Sequence, residues 1–245
     1  MERQVEGSIP FSHPKENYMK YEKYIIAGGN STLLVRNCSA DLRGLVCKKY
    51  LGEVEQVGFV DEFKGLPRLI MMGNELCVNG TIAFVRSLKN KSGFLYTSGV
   101  ERPVEYVNIN GDTSIKLSLP FYIKDRCVIF KGIGYLFADR DSLDSSETLA
   151  KMAEEYNLPA FGIVDYNSGR LRPIVYVKAT NTIVEETSCG SGSIAMSIIS
   201  RMKDIVQPTG EIISVEKNNN VFTITAKVEK VNNAVLMESE NYLYD

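Results

Sequence analysis

The sequence predicts an α+β protein made of two similar halves, and three observations carry this. The heptapeptide pattern C-x-x-G-[ST]-I-A occurs twice, as CVNGTIA from Cys77 and as CGSGSIA from Cys189. Short β-branched or aromatic runs broken by Gly, Asn and Asp fill most of the chain, which is the pattern of strands. Helix-compatible stretches are few, and two of them directly follow the cysteine motifs.

In chain order, strands are expected at 24–26, 32–35, 58–60, 69–72, 94–96, 104–108, 115–119, 127–130 and 134–137 in the first part of the sequence. They are expected at 160–165, 173–177, 211–214, 221–228 and 234–238 in the second. Helices are expected over 39–51, over 79–88 and 191–202 after the two cysteine turns, and over 146–156. In the last of these, Asp144 is placed to cap and Glu147 follows three residues on. The halves divide at the loop 139–144: residues 21–138 carry the first cysteine motif, 139–245 the second, and 1–20 form a polar N-terminal segment.

At 245 residues and 44% hydrophobic content, the chain is long enough to bury a core in each half. Its formal net charge is −2, with a sequence pI near 5.7. Lys and Arg are scattered rather than gathered into a stripe, which argues against a nucleic-acid partner. The polar start of the chain lacks the apolar core of a secretion signal, and no window approaches a membrane span. These features favour a cytoplasmic protein with a small-molecule partner; a homodimer is a candidate assembly that they do not decide. The five cysteines are odd in number, widely spaced and without CxxC. Such usage argues against a disulfide framework or a zinc site and leaves free thiols.

Cys38, Cys47 and Cys127 read as inert buried thiols. Cys77 and Cys189 read differently, because turn formers and polar groups flank them: Gly73, Asn74 and Glu75 before the first, and Glu185, Glu186 and Thr187 before the second. Each ends an extended segment at the mouth of a helix, where unpaired N–H groups and the positive end of the dipole favour a thiolate. Two such thiols presented by two halves suit inversion at a carbon alpha to a carboxylate, one removing a proton and the other supplying one to the opposite face. The N–H groups at Asn79, Gly80, Gly190, Ser191 and Gly192 are candidate donors to that carboxylate. His13 is the only histidine and lies in the polar N-terminal segment, so Ser/His and Cys/His schemes fall away. Neither a Walker loop nor a strand-linked G-x-G-x-x-G occurs, nor a lysine placed for a pyridoxal Schiff base, so no cofactor is expected.

Several strings carry a family resemblance: Gly28-Gly29-Asn30-Ser31-Thr32, Glu55-Gln56-Val57-Gly58-Phe59, Met72-Gly73-Asn74-Glu75-Leu76-Cys77-Val78-Asn79, Glu186-Thr187-Ser188-Cys189-Gly190-Ser191-Gly192 and Gln207-Pro208-Thr209-Gly210. With them the chain resembles the diaminopimelate epimerase-like, pyridoxal-independent amino-acid racemases. Within that family it is most similar to the staphylococcal-type histidine racemase branch of opine metallophore biosynthesis. The resemblance implies two pseudo-symmetric halves, each a β-barrel-like sheet around a central helix, with the site between them. It implies Cys77 and Cys189 as the acid/base thiols. Asn30, Gln56, Asn79 and the Gly190–Gly192 turn would hold the amino-acid head group, with Asn74, Val78 and Gly80 beside the first thiol. Glu55 and Glu186 are candidates for the ammonium or the side chain. Val78 stands where the family usually has Gly, and the Cys-Gly-Asn-Gly-Ala-Arg string of diaminopimelate epimerases is absent. Diaminopimelate epimerisation is the alternative within the class, and a non-catalytic thiol redox or ligand-binding protein the alternative outside it.

Overall fold

A computed structural model describes residues 18–231, apart from 110, 140, 142–144 and 168, together with 237–238. His13, the cap expected at Asp144 and most of the strand expected at 234–238 lie outside the described residues.

The first half begins with a hairpin, β1 (Met19–Ile26) and β2 (Asn30–Arg36), after which α1 (Arg43–Tyr50) crosses to β3 (Gln56–Phe63). Then come β4 (Leu66–Met71), α2 (Val78–Ser87), β5 (Ser92–Thr97), β6 (Val104–Ile109) and β7 (Asp112–Ser118). These seven strands are neighbours in one sheet, and β16 (Val221–Lys230) returns from the far end of the chain to close it. It pairs with β7 through Val221–Lys227 and with β1 through Val228 and Lys230, opposite Ile26 and Tyr24. Eight strands thereby form a closed barrel with no free edge between β1 and β7. Inside runs α2, with every residue from Val78 to Val85 buried, as befits a helix surrounded by a sheet on all sides. Helix α1 instead lies on the outer face, where Val46, Cys47 and Tyr50 cover Tyr21, Val35 and Phe59.

The second half is a six-stranded sheet of β8 (Phe121–Lys124), β9 (Cys127–Phe130), β10 (Gly134–Phe137), β11 (Ala160–Asn167), β12 (Arg170–Val177) and β13 (Thr182–Glu185). Leu149 and Ala153 of α3 (Ser145–Glu155) pack on one face against Phe161, Ile163 and Tyr176. The other face holds α4 (Gly190–Ser200), enclosed by β14 (Asp204–Val206) and β15 (Ile212–Asn218), which extend the first sheet beyond β16. Ile194 and Ala195 of this helix share one apolar core with α2. The last described strand, β17 (Met237–Glu238), pairs with the start of β1.

The α+β fold of two sheet-and-helix halves is thus the one the sequence predicts. The crossover between sheets falls at Leu119–Pro120 rather than at 138, so β8, β9 and β10 belong to the second sheet and β16 to the first. Strands β8, β13 and β14 lie outside the sequence expectation. Strand β8 is an edge with Tyr122 and Ile123 more than half exposed, so it shows no core-facing period. Its hairpin turn places Asp125 and Arg126 at φ 48° and 63°, a mirror-image turn made without the Gly that usually announces one. No helix among the described residues is long and apolar enough to cross a membrane.

Candidate active site

The duplicated heptapeptide folds into duplicated geometry. Cys77 and Cys189 are both extended, at φ −124° and −143°, and each is the N-cap of its helix. The Sγ of each accepts the N–H of the glycine three residues on, Gly80 at 3.1 Å and Gly192 at 3.2 Å. The hydroxyl one residue further donates to the cysteine carbonyl, Thr81 at 2.7 Å and Ser193 at 2.6 Å. The glycines are required sterically, because a Cβ on Gly192 would sit 2.9 Å from Cys189 Sγ and one on Gly80 would sit 2.7 Å from Met71 Sδ. Ile and Ala then bury the helix, which accounts for every specified position of the motif.

The two helix mouths are clipped together. Asn79 of α2 donates to the Ser188 carbonyl (2.8 Å) and accepts from the N–H of Gly190 (2.9 Å). Val78 lies directly against Gly190, where no side chain would fit. Gln207 accepts the Cys189 N–H at 2.9 Å and donates to Ser193 Oγ, fixing the second cysteine from behind.

A hydrogen-bonded chain leads from the first thiol to a carboxyl of the other half. The Cys77 thiol donates to Gln56 Oε1 (3.0 Å), and Gln56 Nε2 donates to Glu186 Oε1 (2.6 Å). Tyr135 adds a hydroxyl 3.3 Å from Cys189 Sγ and 2.7 Å from Ser191 Oγ. These groups surround a narrow cleft of about 20 Å³ whose apolar walls are Met72, Leu76, Ile133, Val175, Val177 and Val184. The charged residues lining it are Glu55, Glu75 and Glu186.

Burial dominates the electrostatics. It raises the Glu186 carboxyl to about 8 and that of Glu75 to about 7. Glu55, at the rim, is raised less, because Thr187 and Asn30 hydrogen-bond its charged form. Both thiols are pushed well above their ordinary range, first by burial and then by the neighbouring carboxylates, Glu75 and Glu186 for Cys77 and Glu186 for Cys189. The thiolate expected from the helix mouths is therefore not favoured among these groups. The N–H of Gly80 and of Gly192 lower these values, but desolvation beside carboxylates outweighs them.

Among the residues singled out from sequence, Cys77, Glu55, Gln56, Glu186 and Ser191 line the cleft. Cys189 meets it through Tyr135 and Ser191. Asn30 is buried one step behind, donating to Glu55 Oε2 (2.8 Å). Asn79, Val78 and Gly190 join the helix mouths, and the N–H groups of Gly80, Gly190 and Gly192 are already engaged by Cys77 Sγ, Asn79 and Cys189 Sγ. Asn74 is exposed on the preceding turn at φ 59°, outside the cleft lining. Two polar cleft residues, Glu75 and Tyr135, are additions to the set expected from sequence. Glu75 lies inside the Met72–Asn79 string and could have been found there, whereas Tyr135 looks in sequence like any strand tyrosine.

No family model matches the chain. Two histidine racemases from strains of Fusobacterium nucleatum subsp. nucleatum are 26% and 25% identical to it, the alignment covering 79% of this chain and 88% of each relative. A structure described as a predicted epimerase from Pseudomonas aeruginosa superposes with a TM-score of 0.63 at 8% identity, covering 90% of this chain and 99% of that one. A phenazine biosynthesis protein of the PhzF family from Bacillus anthracis does so with a TM-score of 0.55 at 13% identity, covering 88% and 97%. Fold and relatives together define an isomerase-like protein. More narrowly, the chain is a racemase/epimerase-like protein.

Proposed function

We propose that the chain is a cofactor-independent amino-acid racemase that inverts the α-carbon by proton transfer between Cys77 and Cys189. Its substrate in this reading is L-histidine, released in the cytoplasm as D-histidine for metallophore assembly. The pair of thiols carries the proposal: each caps a helix mouth in one half, Cys77 lines a carboxylate-lined cleft, and Cys189 lies behind Tyr135 and Ser191 of the same lining.

One sulfur, as thiolate, takes the α-proton, and the electron pair of that C–H bond passes into the substrate carboxylate. The opposite S–H bond then breaks to deliver its proton to the other face, leaving thiol and thiolate interchanged. Burial opposes the thiolate, and a cationic substrate group helps to form it. An ammonium beside Glu186 allows that carboxyl to ionise and offsets the charge on sulfur. The positive ends of α2 and α4 stabilise the charge that develops on the substrate carboxylate.

The histidine assignment is supported by the named relatives and by the lining. A second substrate carboxylate, as in diaminopimelate, would meet Glu55, Glu75 and Glu186, whereas a weakly basic side chain suits them. The test is to assay Cys77→Ala and Cys189→Ala for loss of optical rotation with L-histidine and a panel of other L-amino acids. Each variant should keep its fold and lose racemisation, because one turnover uses both sulfurs. Near-wild-type racemisation by either variant refutes the two-thiol scheme. A wild-type protein that exchanges no α-proton of any amino acid supports a non-catalytic thiol protein instead.

A further inference from the structure

We propose that Glu75 is the specificity-determining residue of the cleft: it accepts a hydrogen bond from a side-chain N–H of the bound amino acid and so selects substrates with a weakly basic, N–H-bearing side chain. This rests on the racemase reading and adds to it the group that reads the side chain.

The three cleft carboxylates differ in what already occupies them. Glu55 sits at the rim with both oxygens engaged, Oε2 by Asn30 at 2.8 Å and Oε1 by the Thr187 hydroxyl at 2.6 Å. It also lines the outer groove with Ser31, Glu53 and Ile183, so it belongs to the entrance. Glu186 lies between the thiols, bonded through Oε1 to Gln56, while its Oε2 is buried without a partner. A buried open acceptor at that point, beside the atoms that exchange protons, suits the α-ammonium of a substrate. Glu75 remains. Its Oε2 accepts from the Gly73 N–H at 2.8 Å, and the cleft's apolar wall at Met72, Leu76 and Val177 lies beside it.

The position is rigid as well as apolar. Ser98 donates to the Glu75 carbonyl at 2.8 Å, and the next N–H, of Leu76, bonds the Gly132 carbonyl at 3.3 Å. A fixed, buried carboxyl that ionises near 7 is matched to imidazole, whose unperturbed value is about 6.5. Acid with imidazole and carboxylate with imidazolium then hold the same number of protons, so the pair forms without importing net charge. Leucine offers no donor and leaves a buried polar group unpaired.

The experiment compares kcat/KM for histidine and leucine in the wild type and in Glu75→Gln, which keeps an oxygen for the Gly73 N–H. The histidine-to-leucine ratio should fall about ten- to hundredfold, mostly through KM for histidine. Loss of the Glu75 charge also eases ionisation of Cys77, but that effect is common to all substrates and cancels in the ratio. If both substrates change by the same factor while the wild type racemises histidine, the Glu75 assignment is overturned and the racemase reading stands. If the wild type exchanges solvent deuterium into no amino acid, both fall. Should the variant fail to fold, the wild type decides alone. At least one of the two ring N-methylhistidines should lose tenfold or more in kcat/KM, and turnover of both within about threefold of histidine overturns the proposal.

Discussion

Replacing Asn79 with alanine should cost stability and activity together. The side chain is 2% exposed and makes two short bonds across the halves, to the Ser188 carbonyl at 2.8 Å and from the Gly190 N–H at 2.9 Å. A third contact, to Ser188 Oγ at 3.4 Å, is long enough to discount. Truncation strands one buried donor and one buried acceptor, each at roughly 1–3 kcal/mol. Water entering the space left behind offsets part of this, so the expected loss is about 2–4 kcal/mol. Against a typical total of about 5–15 kcal/mol, such a loss is plain in urea unfolding followed by a global probe. Racemisation should fall more than about tenfold, because the clip sets the approach of the two helix mouths and hence of the two sulfurs. Asn79→Asp should remain impaired, since it keeps an acceptor for Gly190 but turns an oxygen toward the Ser188 carbonyl. A variant within about 0.5 kcal/mol of wild type and fully active would refute the reasoning.

Two further outcomes follow from burial of the site. With both site thiols held protonated, iodoacetamide at neutral pH should modify half-exposed Cys38 before Cys77 or Cys189, and peptide mapping that finds a site thiol labelled first contradicts the electrostatic account. Glu75 and Glu186 have folded values of about 7 and about 8 against an ordinary 4.5, so folding favours their protonated forms; their contribution is full below 4.5 and is lost as pH rises through 7 and 8. The ligand-free Tm should therefore decline between about pH 5 and about pH 8.5, and Glu186→Gln should flatten that decline; an unchanged slope in the variant counts against a buried, neutral Glu186.

Much of the molecule is legible in local sequence patterns. The C-x-x-G-[ST]-I-A repeat specifies a cap, a sulfur-facing glycine and a carbonyl-binding hydroxyl within seven residues, so both helix mouths can be read from it. What stays hidden depends on partners far away in sequence. Pairing of Ile26 with Val228 closes the barrel, and no periodicity within either strand encodes that register. The acid strength of the thiols departs from the sequence expectation for the same reason. The helix mouth is a local feature, whereas the burial that overrides it at Cys77 depends on the whole fold, reinforced by Glu75 two residues away and then by Glu186 from the other half of the chain. Tyr135 approaches Cys189 from a strand 54 residues earlier, and nothing in its own neighbourhood marks it.

The most direct test of two opposed thiols is the isotopic fate of the α-proton during early turnover of L-histidine in deuterium oxide. If one sulfur removes the proton and the other supplies its replacement, the first D-histidine formed carries one α-deuterium while the recovered L-histidine carries essentially none. D-histidine that retains the original α-proton, or deuterium entering L-histidine as fast as product forms, would contradict the account.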